Sequence, residues 1–155
     1  MKAITLRPVT DGDRDRLIEI YQNSREPELA MTPWTPELKR LFAASQLDGQ
    51  LRHHREHYPQ AEDLLIVVDD APVGRLYLDR GSDVIALLDM TVLTESRNQG
   101  IGTHIVRGLQ HESNGRSIRV FVETYNPSRL FFERLGFVVT ALEGLNFKLE
   151  WSDPC

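Results

Sequence analysis

The stretch from Ala86 to Leu109 constrains the fold most, because its apolar pattern changes period at a pair of glycines. The run ALLDMTVL has the length and composition of a buried strand. Around Gly100 and Gly102 the apolar side chains begin to recur at helical spacing, at Ile101, Ile105, Val106 and Leu109. The chain therefore passes from a strand into a helix through a short turn, which is typical of an α/β fold.

The turn between this strand and helix, RNQGIGT, has the chemistry of an anion site. The first turn of a helix presents unpaired backbone N–H groups and a partial positive charge. Gly100 and Gly102 remove side chains that would keep a phosphate from the backbone, Arg97 adds a forked cation and Thr103 adds a hydroxyl. These residues suit a pyrophosphate; the alternative is a tight turn whose glycines only relieve strain. The pattern is neither a P-loop nor G-x-G-x-x-G, whose third position falls on Ile105.

Periodicity and turn residues predict the element order β-α-α-β-β-β-α-β-α-β-β. AITLRPV is the first strand, TDGDRDRLIEIYQNS the first helix, and the proline-rich PELAMTPWTP a loop. Thr35 caps a second helix expected from about Glu37 toward Tyr58, with LDGQ as a point of interruption. We expect this helix to bury one apolar face, formed by Leu38, Leu41, Phe42 and Leu51.

The second half of the chain is predicted to be mostly strands. DLLIVVD and PVGRLYLD flank the turn DDAP and predict a hairpin, which DVIALLDMTVL and the glycine-led helix follow. RSIRVFVET is a strand, and NPSRLFFERLGF is a helix with Asn126 as cap, Pro127 at its first position and Gly136 at its end. FVVTAL and LNFKLEW are the last strands. The fold class is α/β, with a mixed, mostly antiparallel central sheet flanked by helices and at least one parallel pair.

Composition limits the classes of function. A chain of 155 residues is most simply one domain, spanning residues 1–155. The net charge of −5 argues against general binding of nucleic acid, and no apolar run is long enough for a membrane span. The N-terminus lacks a signal-peptide pattern, and the single cysteine, Cys155, cannot form an intrachain disulfide. We therefore expect a cytoplasmic protein.

Three stretches of the sequence resemble the GCN5-related N-acetyltransferase (GNAT) superfamily. Arg97-Asn98-Gln99-Gly100-Ile101-Gly102 is similar to its R/Q-x-x-G-x-G/A acetyl-CoA signature. NPSRLFFERLGF, about 24 positions further on, is similar to its late N-P-A-R-x-L-Y-E-R-L-G-F block. The opening ITLRPVTDGDRDRLIEIY resembles the family's entry strand and helix, and the likeness is weakest over residues 24–62.

This resemblance implies a GNAT-like fold that uses acetyl-CoA as cosubstrate and transfers an acyl group directly to an amine. The backbone of Met90, Thr91 and Val92 would pair with the pantetheine arm, and the N–H groups from Asn98 to Thr103 would hold the pyrophosphate. Asn126 would lie beside the thioester. The expected cofactor-binding residues are Met90, Thr91, Val92, Arg97, Asn98, Gln99, Gly100, Ile101, Gly102, Thr103, Asn126 and Phe132.

The transfer also requires a proton acceptor. A lysine-like amine has a pKa of ~10.4, so freeing its lone pair at neutral pH costs about 4.6 kcal/mol. Glu123 and Asp89 are the carboxylates nearest the cofactor slot that the resemblance implies between the fourth and fifth strands, and Glu123 is favoured because it lies just before Asn126. The alternative for each is a solvated charge at a strand edge. A backbone N–H near Val92 is the expected donor to the oxyanion.

The family often has a tyrosine that protonates the leaving thiolate, and this chain has Phe132 at that position. There are three alternatives. The thiolate leaves without an acid, or water or a hydroxyl such as that of Tyr125 or Ser128 acts in place of the tyrosine. In the third, the domain binds acyl-CoA without turnover.

A competing motif lies in HHREH, where His53, Glu56 and His57 match the H-x-x-E-H of inverted zinc peptidases. Two histidines four apart share a helical face and could bind one metal ion. The segment is a charged helix end with no evident third ligand downstream, so we favour the acyltransferase and expect no metal.

The segment from Pro27 to Tyr58 is expected to select the acceptor, with Trp34, Phe42 and Tyr58 lining its pocket. Trp34, which stands between prolines, could equally form a subunit contact. The acidic balance of the chain favours a cationic amine. A homodimer through the late strands is compatible with the sequence.

Overall fold

The computed structural model describes residues 3–153, so Cys155 lies outside the described residues. Its strands are β1 (Ile4–Pro8), β2 (Glu62–Val68), β3 (Ala71–Arg80), β4 (Val84–Val92), β5 (Ser117–Glu123), β6 (Val138–Glu143) and β7 (Asn146–Trp151). Its helices are α1 (Arg14–Ser24), α2 (Glu26–Leu29), α3 (Pro36–His57), α4 (Ile101–Glu112) and α5 (Ser128–Arg134). Within residues 3–153, no helix has the length and apolarity to cross a membrane.

The seven strands form one mixed sheet in the order β1-β2-β3-β4-β5-β7-β6. β4 and β5 are parallel, with Val84 opposite Ser117 and Leu87 opposite Val120. The β1–β2, β5–β7 and β6–β7 pairs are antiparallel. Asp69 and Asp70 have φ values of 48° and 68°, the left-handed conformation that a two-residue hairpin turn needs. The predicted mixed, mostly antiparallel α/β fold is therefore confirmed.

The chain divides into two compact units, and the single-domain prediction stays a prediction. Unit 1 is Met1–Tyr77 with Asp89–Ile101. Its core includes Ile20, Leu29, Leu47, Leu65, Ile66 and Leu76, each no more than 2% exposed. Tyr21 of α1 donates to Gln46 of α3 at 3.1 Å, and two ion pairs, Arg14–Asp48 and Arg40–Asp15, join the same helices.

Unit 2 is Leu78–Leu88 with Gly102–Cys155. Its core includes Leu78, Ile85, Val106, Ile118 and Leu149, all fully buried. β6 is an edge strand of the sheet and exposes Val138, Val139 and Leu142. The homodimer through the late strands stays a prediction.

Three local predictions differ from the structure. The expected loop contains the short helix α2, which has Pro27 in its first turn, where a missing N–H costs nothing. α3 runs through LDGQ without interruption. The expected buried face of α3 was wrong for Leu38, Leu41 and Phe42, which are 50%, 65% and 38% exposed. Packing instead selects the opposite face of the helix, which is formed by Ala43, Leu47, Leu51 and His54.

Candidate functional site

The loop between β4 and α4 has an unusual backbone. After a 3-10 turn at Thr94–Ser96, Arg97 is extended, and Asn98 and Gly100 have φ values of 62° and 79°. In the part of the chain that the structure describes, the backbone N–H groups of Asn98 and Gly100 have no backbone or side-chain acceptor. α4 then begins at Ile101, as predicted. The loop presents free N–H donors directly before a helix N-terminus, which together can bind an anion.

One hydrogen bond anchors the side chain of Arg97 at this loop. Its Nε donates to the carbonyl oxygen of Val92 at 3.0 Å, while the side chain stays exposed. The terminal nitrogens of the guanidinium therefore remain available to a phosphate. At the start of the same loop, Thr94 donates to Asn23 Oδ1 through both its N–H and its hydroxyl, each at 2.9 Å. A pyrophosphate fits the donor set formed by the free N–H groups of the loop and the guanidinium of Arg97.

A residue that the sequence analysis missed supports the end of β4. A Cβ at Gly74 would lie 2.4 Å from the carbonyl oxygen of Thr91 and 3.2 Å from Val92 Cα. Leu93 N–H also donates to Val73 O at 2.8 Å. Only glycine permits this close approach, and an isolated glycine inside a strand pattern was the signal for it.

The predicted pantetheine-pairing residues lie at this end of β4. The β4–β5 ladder ends at the Leu87–Val120 pair, and β4 continues through Met90, Thr91 and Val92. These three residues are half-buried. Their backbone pairing with pantetheine stays a prediction.

Asp89 is held in a charged cluster inside unit 1. Its Oδ1 accepts from the Thr91 hydroxyl at 3.0 Å, and its Oδ2 lies 3.8 Å from Arg75 Nη1. The Arg75 side chain is 3% exposed and makes a two-pronged contact with Asp63. Burial raises the pKa of Asp89, while the charge of Arg75 opposes that rise. Asp89 is therefore not the solvated edge charge that was its alternative, and Arg75 and Asp63 are additions from the structure.

Unit 2 brings together Glu123, Tyr125 and Asn126. The Tyr125 hydroxyl donates to the Glu123 carboxylate, and Asn126 N–H donates to Glu123 O at 2.9 Å. Asn126 Oδ1 accepts from Ser128 N–H at 2.9 Å. The cap residue of α5 is Pro127 and its first helical residue is Ser128, so the predicted cap at Asn126 and first helical position at Pro127 are each wrong by one residue. The candidate base and the candidate acid thus share a hydrogen bond, which the sequence analysis did not anticipate.

Phe132 is a core residue of unit 2. Its ring is 4% exposed and meets Phe131 and Phe137 edge-on, with centroids 5.0 Å and 5.2 Å away. Its contact with the cofactor stays a prediction.

Trp34 and Phe42 form an aromatic pair at the start of α3. Their ring centroids are 5.1 Å apart, and each residue is 38% exposed. Tyr58, which caps the C-terminus of the same helix, is half-buried. Their role in acceptor binding stays a prediction.

The histidine motif forms a stack at the exposed end of α3. The His53 and His57 rings lie 4.1 Å apart, and His57 Nδ1 lies 2.9 Å from the carbonyl oxygen of His53. Glu56 is exposed. Among residues 3–153 no group of three or more His, Cys, Asp or Glu side chains could hold a metal ion.

Comparisons with solved structures show the same fold. The PaiA N-acetyltransferase of Thermoplasma acidophilum, in complex with coenzyme A, is 17% identical with a TM-score of 0.68, covering 97% of this chain and 99% of that one. An acetyltransferase from Thermus thermophilus is 18% identical with a TM-score of 0.70 over 97% of both chains. The Vibrio cholerae spermidine N-acetyltransferase, in complex with CoA and spermine, is 15% identical with a TM-score of 0.64, covering 96% and 95%.

No curated protein matches the chain significantly. The family model of the acetyltransferase (GNAT) domain matches residues 60–139, just over half of the chain. This match includes the strands β2 to β5, the loop with Arg97 and Gly100, and helices α4 and α5. The chain therefore belongs to the GNAT acetyltransferase family.

Proposed function

We propose that this chain transfers an acetyl group from acetyl-CoA directly to a primary amine. The observation that carries the proposal is the loop before α4, where two N–H groups lack an acceptor within residues 3–153 and Arg97 is anchored beside them. Nothing lies within 4 Å of the position that a Cβ on Gly100 would take, so the backbone there is open to a phosphate. Family membership supports acetyl-CoA as the donor.

In the proposed step, the protonated amine gives one proton to the base, and the freed lone pair on its nitrogen bonds to the thioester carbonyl carbon. As the tetrahedral intermediate collapses, the nitrogen gives up a second proton, which replaces the one that the leaving thiolate takes up. The carbon–sulfur bond breaks, and the products are an N-acetyl amine and the thiol of coenzyme A. A backbone N–H near Val92 would stabilise the developing oxyanion. Asp89 or Glu123 would accept the amine proton, and Tyr125 would supply a proton to the thiolate, because Phe132 has none to give. The hydrogen bond from Tyr125 to Glu123 supports a shared proton path in unit 2.

The first experiment measures coenzyme A binding by calorimetry and thiol release from acetyl-CoA across a panel of amines. We expect binding, and turnover with at least one amine. Binding without thiol release on any amine would instead favour a non-catalytic acyl-CoA-binding domain, the alternative suggested by Phe132 at the position where the family often has a tyrosine. Absence of coenzyme A binding would overturn both assignments.

We further propose a cationic acceptor, such as a polyamine or a lysine-like amine. The net charge of −5 supports it, as does the spermine in the Vibrio cholerae enzyme, a protein with the same fold. The exposed Trp34–Phe42 pair offers aromatic faces, and a cation over such a face gains about 0.5–2 kcal/mol.

Trp34→Ala tests this acceptor. We expect a KM for the cationic amine that rises by about 2- to 30-fold, the equivalent of the lost cation–π energy, with unchanged coenzyme A affinity. Leu145→Ala, which trims a side chain that is 74% exposed in unit 2, is the control and should leave both constants unaltered. An unchanged amine KM in Trp34→Ala would remove this residue from the acceptor site.

A further inference from the structure

The buried guanidinium of Arg75 bridges two carboxylates in unit 1. Its Nε and Nη2 contact the two oxygens of Asp63 at 2.9 Å and 3.2 Å, and Nη1 contacts Gln50 Oε1 at 3.2 Å. The guanidinium also lies over the Tyr77 ring, 4.9 Å from its centroid. A charge this deeply buried is costly unless its partners are fixed, so these contacts hold Arg75 in one position.

The two oxygens of Asp89 have different surroundings. Oδ1 accepts from Thr91, whereas Oδ2 lies 3.8 Å from Arg75 Nη1, which is an ion-pair distance rather than a hydrogen bond. The side chain is 21% exposed, so a small group can reach it. Oδ2 is thus an oxygen beside a fixed positive charge with lone-pair capacity remaining.

We propose that Arg75 is a positioning residue for acetyl transfer, whose charge keeps Asp89 ionised so that Oδ2 can accept the proton of the attacking amine. This inference rests on the proposed function and selects Asp89 over Glu123 as the base. The proton moves from the amine nitrogen to Oδ2, and the freed lone pair forms the bond to the thioester carbon. Asp63 holds the guanidinium in place, and its carboxylate pairs with the same positive charge that stabilises ionised Asp89.

The groups around Asp89 shift its pKa in opposite directions. Burial raises the pKa of Asp89, and the negative charge of Asp63 on β2 raises it further. Arg75 on β3, Thr91 on β4 and Arg25 before α2 each lower it. His54 of α3 faces the same cluster; burial and the charge of Arg75 lower its pKa, and its Nδ1 has no partner among residues 3–153. Removing Arg75 should therefore raise the pKa of Asp89, and removing the charge of Asp63 should lower it.

The experiment measures two quantities in wild type, Arg75→Gln and Asp63→Asn. The first is the pH titration of the Asp89 carboxyl carbon by NMR on the free protein. The second is the acidic limb of kcat/KM for the amine, measured by thiol release. We expect both midpoints to move to higher pH in Arg75→Gln and to lower pH in Asp63→Asn. Arg75→Lys, which keeps the charge, should stay closer to wild type than Arg75→Gln, and Asp89→Asn should lose about 10²- to 10⁴-fold in kcat.

The opposite signs distinguish this role from that of a purely structural ion pair, because a general loss of structure would not move the pH midpoints of the two variants in opposite directions. Unmoved midpoints, or midpoints that move together, overturn the inference. Should Arg75→Gln not fold, Arg75→Met, which also removes the charge, takes its place with the same expected move to higher pH. A wild-type protein that binds no coenzyme A refutes the proposed function, whereas turnover with an unmoved limb refutes only the role of Arg75.

Discussion

Gly74 determines how closely two neighbouring strands can approach at the end of β4. Its missing side chain leaves room for the Thr91 carbonyl, and the atoms that a Cβ would meet there are mostly backbone. Gly74→Ala must therefore displace a strand rather than rotate a side chain. We expect a loss of about 1–3 kcal/mol in the free energy of unfolding, measured in urea.

Gly108→Ala is the matched control for this change. Gly108 lies inside α4, with nothing within 4 Å of the added methyl group, so we expect a gain of up to ~1 kcal/mol. A Gly74→Ala protein as stable as wild type would show that β4 tolerates the displacement.

The ionised carboxylate of Asp13 contributes to the stability of the fold. The hydrogen bonds from the Arg7 guanidinium, and then the N–H of Thr10, hold the pKa of Asp13 well below its usual range. A lowered pKa stabilises the fold above the unfolded value of ~3.9, and the contribution disappears as the pH falls below it. We expect Asp13→Asn to lower the thermal midpoint at pH 7, with a difference that shrinks below pH ~4. Asp11→Asn, an exposed carboxylate in the same turn, should change the midpoint less; equal losses would contradict the assignment.

At the scale of the element, the start of α4 joins backbone conformation to binding. Gly100 and Gly115 both have positive φ, 79° and 87°, and both have open space at the Cβ position. Alanine at either position should therefore cost a similar strain, about 1–2 kcal/mol. Only Gly100 lies in the proposed pyrophosphate loop.

We therefore expect Gly100→Ala to weaken coenzyme A binding and Gly115→Ala to leave it unchanged, although both lose stability. Calorimetric titration with coenzyme A, beside urea unfolding of each variant, measures both effects. Equal affinities in the two variants would show that the loop does not bind coenzyme A.

The sequence predicted the elements whose signals are local. The strand, the loop and the start of α4 follow from period and glycine placement, and Thr35 caps α3 as expected, with its hydroxyl accepting from Leu38 N–H at 3.2 Å. The missed features depend on partners distant in sequence. Arg75 meets Asp63 and Asp89, which lie 12 residues before it and 14 after it, and no short motif connects them. The packed face of α3 likewise depends on which surface the rest of unit 1 offers.

At the scale of the whole molecule, the net charge of −5 should attract a cationic acceptor before it reaches the protein surface. Raising the ionic strength from about 0.01 M to 0.1 M shortens the Debye length from about 30 Å to 10 Å and so screens that attraction. With acetyl-CoA saturating, we expect kcat/KM to fall with salt, and more steeply for a polyamine than for a monoamine. The monoamine is the control, because general salt effects on the protein act on both substrates. Equal slopes would show that the charge of the chain does not guide the acceptor, and would leave the Trp34–Phe42 pair and the spermine-bound enzyme of the same fold as the grounds for a cationic substrate.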